Sequence, residues 1–311
     1  MTSVKAVAPY QHKGGINFKT QAYEAWLNVG GQVTKSYYPH RLLHGFLFRH
    51  ELPTISKNKK EARLRFVEPV SISFDTFPDY VHYEIIPFIW DCWPCYFEKV
   101  VAWFRKHDVR TAIFTSSQTA ERMQKRLPEM NIMYCPEGIG TSKYSEGKPL
   151  TKRSIDLLEF GRSNKGVLKD AFPDSLNHVC TKVNGSYLYT NEQLYELLGD
   201  AKVTIALPRS MTQPEVAGNI ETLTQRYWEN MLSRIVMVGH APKELIDLIG
   251  YNPVIELDFE HPNEQISDIV AHIEDYQELV DKNRNVVLES GDWVPRMKMI
   301  NKFLIINGYK L

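Results

Sequence analysis

The chain alternates short apolar runs with amphipathic stretches, and that alternation predicts its elements. Residues 4–9 (VKAVAP) form an apolar run that reads as a buried strand, Gly14 and Gly15 as a turn, and 16–28 (INFKTQAYEAWLN) repeats apolar positions at helical spacing. Gly30 and Gly31 stop that helix and QVTKSYY alternates as a second strand, a βαβ opening with a glycine loop at the carboxyl end of its first strand. Residues 50–66, polar and rich in lysine, predict a solvated loop that includes Lys57 to Lys60. Strands follow at 81–88 (VHYEIIPF) and 110–115 (RTAIFT), with helices at 95–107 and 117–127. Such alternation of strand and helix argues for parallel sheets covered on both faces.

Residues 137–153 (EGIGTSKYSEGKPLTKR) lack periodic apolar positions and predict an inter-domain linker. A second cycle comes after it: strand 154–160 (SIDLLEF), a turn at 161–166, strand 203–207 (VTIAL), helix 222–233, strands 235–238 and 253–257, and helix 263–281. The expected fold is therefore α/β with two domains, 1–148 and 149–292. The final helix, 293–307, is compatible with either, with 293–311 free to pack back onto the first. No internal repeat is present.

Size and charge narrow the function. The 311 residues, 43% hydrophobic and 12% aromatic, suffice for two medium domains. Lys plus Arg and Asp plus Glu are equal at 37 each, so no overall field recruits nucleic acid or an anionic membrane, and an anionic ligand needs a local cluster. The opening MTSVKAVAPY is unlike a secretory signal, and no run reaches the ~18 apolar residues of a membrane helix. A cytoplasmic protein with at most peripheral membrane contact is the expectation. Cys92-Trp-Pro-Cys95 has the spacing of a redox pair or half a zinc site, but Cys135 and Cys180 are solitary and a structural zinc takes four ligands, so buried reduced thiols are the preferred reading.

The stretch ETLTQRYWE, 221–229, holds the candidate chemistry. On a helix over 222–233, a rise of 1.5 Å per residue sets Glu221 and Glu229 roughly 12 Å apart and about 80° around the axis. That is the scale of a nucleoside diphosphate sugar measured from hexose to ribose. Arg226 lies between them; vicinal hydroxyls suit carboxylates, and a diphosphate suits a guanidinium. Thr222 and Thr224 can cap the helix and leave its positive end for phosphate oxygens. The turn Gly161-Arg162-Ser163-Asn164-Lys165-Gly166 adds two cations on a strand-to-helix loop, the usual ligand position in an open parallel sheet. With these charges on a leaving diphosphate a metal is unnecessary, no Asp-x-Asp triplet offers to hold one, and no cofactor is expected. The plainer alternatives stay open: glutamates on a surface helix, solvated loop charges, His240 as an ordinary loop histidine, Asp91 as a buried helix cap, Gly14 and Gly15 as a simple turn. Tyr37, Tyr38, Trp90 and Trp93 read as core rather than as stacking platforms.

These motifs resemble a known family. Glu221 to Glu229 is similar to the E-x7-E motif of retaining glycosyltransferases of the GT-B fold, GRSNKG to their G-R-x-x-K-G turn, and APYQHKGGI to their A-P-Y-x-x-x-G-G-I opening. SIDLLEFGR and the stretch from ETLTQRYWE to NPVIE resemble the broad glycosyl transferases group 1 set that includes the spore-maturation CgeB-like proteins. The resemblance implies two Rossmann-like domains facing across a cleft and transfer of a sugar from a nucleotide-sugar, with retention and without metal. The implied acceptor is a hydroxyl on a glycan, a lipid-linked substrate or a small molecule. It makes Glu229 the ribose ligand and Glu221 the carboxylate near the sugar, and puts Arg162 and Lys165 on the diphosphate with Arg226 as a further candidate. Thr222, Leu223, Thr224, Arg209, His240, Gly14, Gly15, Glu137 and Gly138 would line the donor site. Two departures stand out: ETLT replaces the glycine-rich start of the usual motif, and Trp90-Asp91-Cys92 lacks the histidine that relatives often carry beside the aspartate, leaving Asp91 as the acceptor-side candidate. A nucleotide-sugar epimerase, a DNA glycosyltransferase of the phage type and a non-catalytic nucleotide-binding protein are the rival readings.

Overall fold

The computed structural model describes residues 1–9, 18–36, 45–46, 49–50, 52–55, 58–161, 175–183, 186–187 and 190–311. The chain divides into two compact units. Among the described residues, unit 1 holds the N-terminal part through Glu137 together with Trp293–Leu311, and unit 2 holds Gly138–Asp292.

Unit 1 carries β1 (Thr2–Val7), α1 (Phe18–Asn28), β2 (Val33–Thr34), β3 (Asn58–Val67), β4 (Tyr83–Ile89), α2 (Pro94–Lys106), β5 (Thr111–Phe114), α3 (Ser117–Arg126) and β6 (Asn131–Tyr134). Unit 2 carries β7 (Ile155–Glu159), β8 (His178–Cys180), α4 (Asn191–Asp200), β9 (Ala201–Ala206), α5 (Gln225–Leu232), β10 (Val236–Gly239), α6 (Lys243–Ile249), β11 (Ile255–Glu256), α7 (Pro262–Ala271) and α8 (Gln277–Ser290). The chain then returns to unit 1 with α9 (Trp293–Ile306) and β12 (Tyr309–Lys310).

Both main sheets are parallel. Unit 1 has the order β12-β1-β3-β4-β5-β6, with β2 beside β1. The sheet is covered on both faces, and most of its strands are apolar to match. Ala62, Leu64 and Phe66 of β3 pack with Trp26 of α1 and Trp293 and Ile300 of α9, while Val67 joins Phe97 and Val100 of α2 on the other face. The lysine-rich segment expected as a loop is therefore a central strand from Asn58 onward. Its charges mask the alternation because Arg65 is buried and neutralised: its Nη1 lies 2.7 Å from Asp79 Oδ2.

Unit 2 has the order β11-β10-β9-β7-β8. The chain steps outward from β7 to β8, then crosses back through α4 to continue on the other side as β9. Between β7 and β9 the winding reverses, and at such a point an open sheet leaves a crevice outside its carboxyl ends. Leu158 and Met237 bury against α5 and α4 on one face, and Val203, Ile205 and Val238 against α7 on the other.

Three sequence expectations are corrected. The helix foreseen over 222–233 begins only at Gln225, with Thr224 extended at φ −112° and ψ 159°, because the Leu223 N–H is captured by Glu244 Oε2 at 2.9 Å and holds the preceding chain straight. Helix 263–281 is interrupted after Ala271 by a 3₁₀ turn at Ile273–Tyr276 and resumes at Gln277. The stretch foreseen as a linker belongs to unit 2 from Gly138 onward. Arg153 ties it down: the buried guanidinium donates to the carbonyls of Lys148, Ala201, Ser233 and Glu146 at 2.7–3.1 Å. Burial pushes this guanidinium down to about 10, so four carbonyl dipoles stand in for the water it has lost.

Candidate functional site

The carboxyl ends of β7, β9, β10 and β11 bring together residues distant in sequence. After β7, Gly161 adopts φ +76°, and a Cβ at that position would lie 2.4 Å from Arg226 Nη2. Glycine thus serves two needs, a left-handed turn and the close approach of a guanidinium. The Arg226 guanidinium also sits 5.7 Å from the Phe160 ring centroid. Arg226, in the first turn of α5, therefore lies across the start of the Gly161 turn. Arg162 and Lys165 of that turn, and Gly14 and Gly15, fall outside the described residues.

His240 follows β10, and its main-chain carbonyl accepts from the Tyr227 hydroxyl at 2.8 Å. Its imidazole lies between two carboxylates. Nδ1 is 3.1 Å from Glu256 Oε2, on β11, and Nε2 is 3.5 Å from Glu221 Oε2, on the loop that leads into α5. Burial disfavours the charged ring, but the Glu256 and Glu221 carboxylates outweigh it and raise the histidine above its ordinary value.

Glu221 and Glu229 do not share a helix, so the axial 12 Å interval does not apply; the first lies in extended chain and the second in α5. Their environments differ as well. The Glu221 side chain is 30% exposed, whereas Glu229 is 4% exposed, with Oε1 accepting from the Tyr144 hydroxyl at 2.9 Å. Burial raises the Glu229 carboxyl to about 7, although Tyr144 and Arg226 pull the other way. Gln225 Nε2 reaches the same hydroxyl at 3.4 Å. A ribose at Glu229 would meet a carboxyl group already held by a tyrosine.

The remaining candidates fall as follows. Thr222 and Leu223 are buried, and Thr224 stands at the N-cap of α5 without a side-chain capping bond, so the expected threonine caps are absent. Arg209 opens a four-residue helix after β9 with Nε 2.9 Å from Gln213 Oε1. Gly138 opens unit 2, while Glu137 and Asp91 belong to unit 1, the former buried. Asp91 follows β4 in the left-handed region at φ 52°; the N-cap of α2 is Trp93, so the alternative of Asp91 as helix cap is not met. Trp90 and Trp93 are core. Cys92 and Cys135 are buried, and burial pushes both thiols up to about 12, which leaves them poor nucleophiles. Cys95 and Cys180 are exposed, against the expectation of buried thiols throughout. Among the described residues no group of three His, Cys, Asp or Glu side chains is placed to hold a metal, and no helix is long and apolar enough to cross a membrane.

Sequence reasoning missed Glu256, Glu244 and Tyr144. Glu256 carried a usable signal, since it ends the short strand next to that of His240. Tyr144 lay in a segment read as linker, and its approach to Glu229 across 85 positions has no local signature.

The fold is shared with solved structures. The chain is similar to HepE of Anabaena in complex with UDP and glucose, at a TM-score of 0.61 and 9% identity over 98% of this chain and 100% of that one. It is likewise similar to the sucrose-phosphate synthase of Thermosynechococcus elongatus, at 0.60 and 11% over 99% of each chain. The fold is that of the GT-B glycosyltransferases. It is made of two Rossmann-like units. AviGT4, a glycosyltransferase involved in avilamycin A biosynthesis, matches over 99% of each chain at 0.52 and 11%. No family model and no curated protein matches the sequence. At such identities the likeness speaks to the GT-B fold, and the chemistry rests on this chain's own residues.

Proposed function

We propose that this protein is a retaining glycosyltransferase that moves a sugar from a nucleotide-sugar to a hydroxyl acceptor without a metal ion. The observation that carries the reading is the Arg226 guanidinium laid against the Gly161 backbone at the point where unit 2 reverses its winding. A guanidinium beside a glycine turn and the first turn of a helix is a diphosphate-binding arrangement, because planar donors, a close backbone and a positive helix end all favour phosphate oxygens. The fold adds support, since HepE of that fold has been solved with UDP-glucose.

On this reading Arg162, Lys165 and Arg226 hold the diphosphate, Glu229 and Glu221 meet ribose and sugar, and Asp91 serves the acceptor side. The bond from the anomeric carbon to the diphosphate oxygen breaks, and the electron pair leaves with the diphosphate. The acceptor oxygen bonds to the same face of that carbon, and its proton passes to the departing phosphate oxygen. The protein's part is orientation and neutralisation of the developing charge. The acceptor is a hydroxyl on a glycan, lipid-linked or small-molecule substrate, and the work is done in the cytoplasm.

Thermal unfolding in UDP, GDP, ADP and dTDP tests the donor, because a ligand of the folded state raises the midpoint by mass action. Incubation of the matching nucleotide-sugar with EDTA, followed by NMR assignment of the product anomer, tests the chemistry. Absence of a shift with all four nucleotides, or an inverted or EDTA-sensitive product, defeats the reading.

A further inference from the structure

Four side chains from three separate segments meet at the carboxyl ends of β10 and β11. Asn252 Nδ2 donates to Glu256 Oε1 at 3.2 Å, Glu256 Oε2 faces His240 Nδ1 at 3.1 Å, and His240 Nε2 faces Glu221 Oε2 at 3.5 Å. The order is amide, carboxylate, imidazole, carboxylate, each acting on the next. The backbone beneath is fixed, since the Gln265 side chain donates to the Glu256 carbonyl at 2.8 Å and the Tyr227 hydroxyl to that of His240.

Two charged groups on the neighbouring α6 are engaged with other partners. On α6, Lys243 pairs with Asp247, and Glu244 accepts the Leu223 N–H. Among the described residues, the charged groups that face the imidazole are the two glutamates, one on each ring nitrogen. An imidazole with a carboxylate at both nitrogens is held with both protons in place, and its orientation is set from the Glu256 side. Side-chain exposures of 34% for His240, 30% for Glu221 and 60% for Glu256 keep the row within reach of a ligand from solvent.

We propose that Glu256 is a positioning residue that acts through His240 to aim the Glu221 carboxylate at the sugar of a bound nucleotide-sugar. Only its effect on binding rests on the function proposed above; the coupling of the three side chains stands apart from it. The row separates the two halves of the ligand, because aiming Glu221 matters to the sugar and not to the nucleotide. It also gives binding a pH dependence: the aim is intact while His240 is protonated and is lost as pH rises through its raised midpoint.

The test compares wild type, Glu256→Gln, Glu256→Asp and Asn252→Ala. NMR follows the titration of the His240 ring, and calorimetry measures UDP-glucose and UDP separately. Glu256→Gln should lower the His240 midpoint and weaken UDP-glucose on the order of tenfold, the size of one charge-assisted hydrogen bond, while leaving UDP binding unchanged. The aspartate variant should restore most of both effects, and Asn252→Ala should move both in the same direction by less. An unmoved His240 titration in Glu256→Gln, or equal losses for UDP-glucose and UDP, overturns the inference. If wild type binds neither UDP nor UDP-glucose, a uridine donor is refuted, and the histidine titration still decides the coupling.

Discussion

The carboxyl ends of the two sheets are built on opposite plans. In unit 1, aromatic rings gather near the ends of β3 and β4, at Phe66, Phe88 and Trp90. Trp90 lies 4.2 Å from the Phe88 centroid, 5.7 Å from Phe18 and 5.9 Å from Trp293, and is 1% exposed. In unit 2, β9 and β10 end in Ala206 and Gly239, and Gly161 follows two residues after β7. A Cβ on Gly239 would stand 2.0 Å from the Ala206 carbonyl oxygen, and Gly161 admits Arg226 in the same way. Polar side chains then project beyond them. Rings that fill their own crevice contribute stability by burying area, whereas glycines and charges give up that area and leave groups positioned for a ligand.

Substitutions can break this contrast, and the largest effect is expected in unit 1. Trp90→Ala should cost about 3–5 kcal/mol in denaturant unfolding by opening a cavity among packed rings; a loss below ~1 kcal/mol would show that the cluster is not the anchor of its sheet. Next comes Glu229→Gln in unit 2, with a pH-dependent sign. The rise of this carboxyl from 4.5 to about 7 corresponds to roughly 3 kcal/mol. The neutral carboxyl is compatible with its site, so its contribution is complete below the unfolded pKa and is lost as pH rises through about 7. Glu229→Gln should therefore match wild type near pH 4 and melt higher near pH 8; equal melting at both would refute the buried, reluctant acid. Arg226→Ala should leave stability within ~1 kcal/mol and weaken the matching nucleotide about 10- to 100-fold by calorimetry, the inverse of the tryptophan result. The smallest effect belongs to Lys243→Ala, which removes an exposed pair with Asp247 on α6 and should change the unfolding free energy by no more than ~0.5 kcal/mol.

The pattern of the chain revealed much of the fold because strands buried on both faces are apolar throughout: VTIAL, IVMV and VHYEIIPF all read as strands and are strands. Where a strand carries charge inward, the pattern misleads. β3 reads as a lysine-rich loop because the partner that makes Arg65 burial tolerable, Asp79, lies 14 residues away. At the site, the glycine after β7 could be read as a turn from its own segment, whereas the approach of Arg226 to it could not. Residues that act through distant partners could not. Nothing in ETLT announces that Glu244 straightens it, and nothing near Glu229 announces Tyr144. Local spacing sees one chain segment at a time, whereas charge compensation is a property of pairs.

One feature of the chain path bears on how the molecule is made. Among the described residues unit 2 is continuous from Gly138 to Asp292, but unit 1 is not: α9 supplies Trp293, Met297, Ile300 and Leu304 to its core, and Tyr309 and Lys310 lie beside Thr2 and Ser3. As the chain emerges from the ribosome, the first sheet waits with an uncovered face until α9 follows, while unit 2 can close earlier. β12 lies beside β1, so a nascent chain stalled shortly after Asp292 would display unit 2 alongside a unit 1 open to chaperones and proteases.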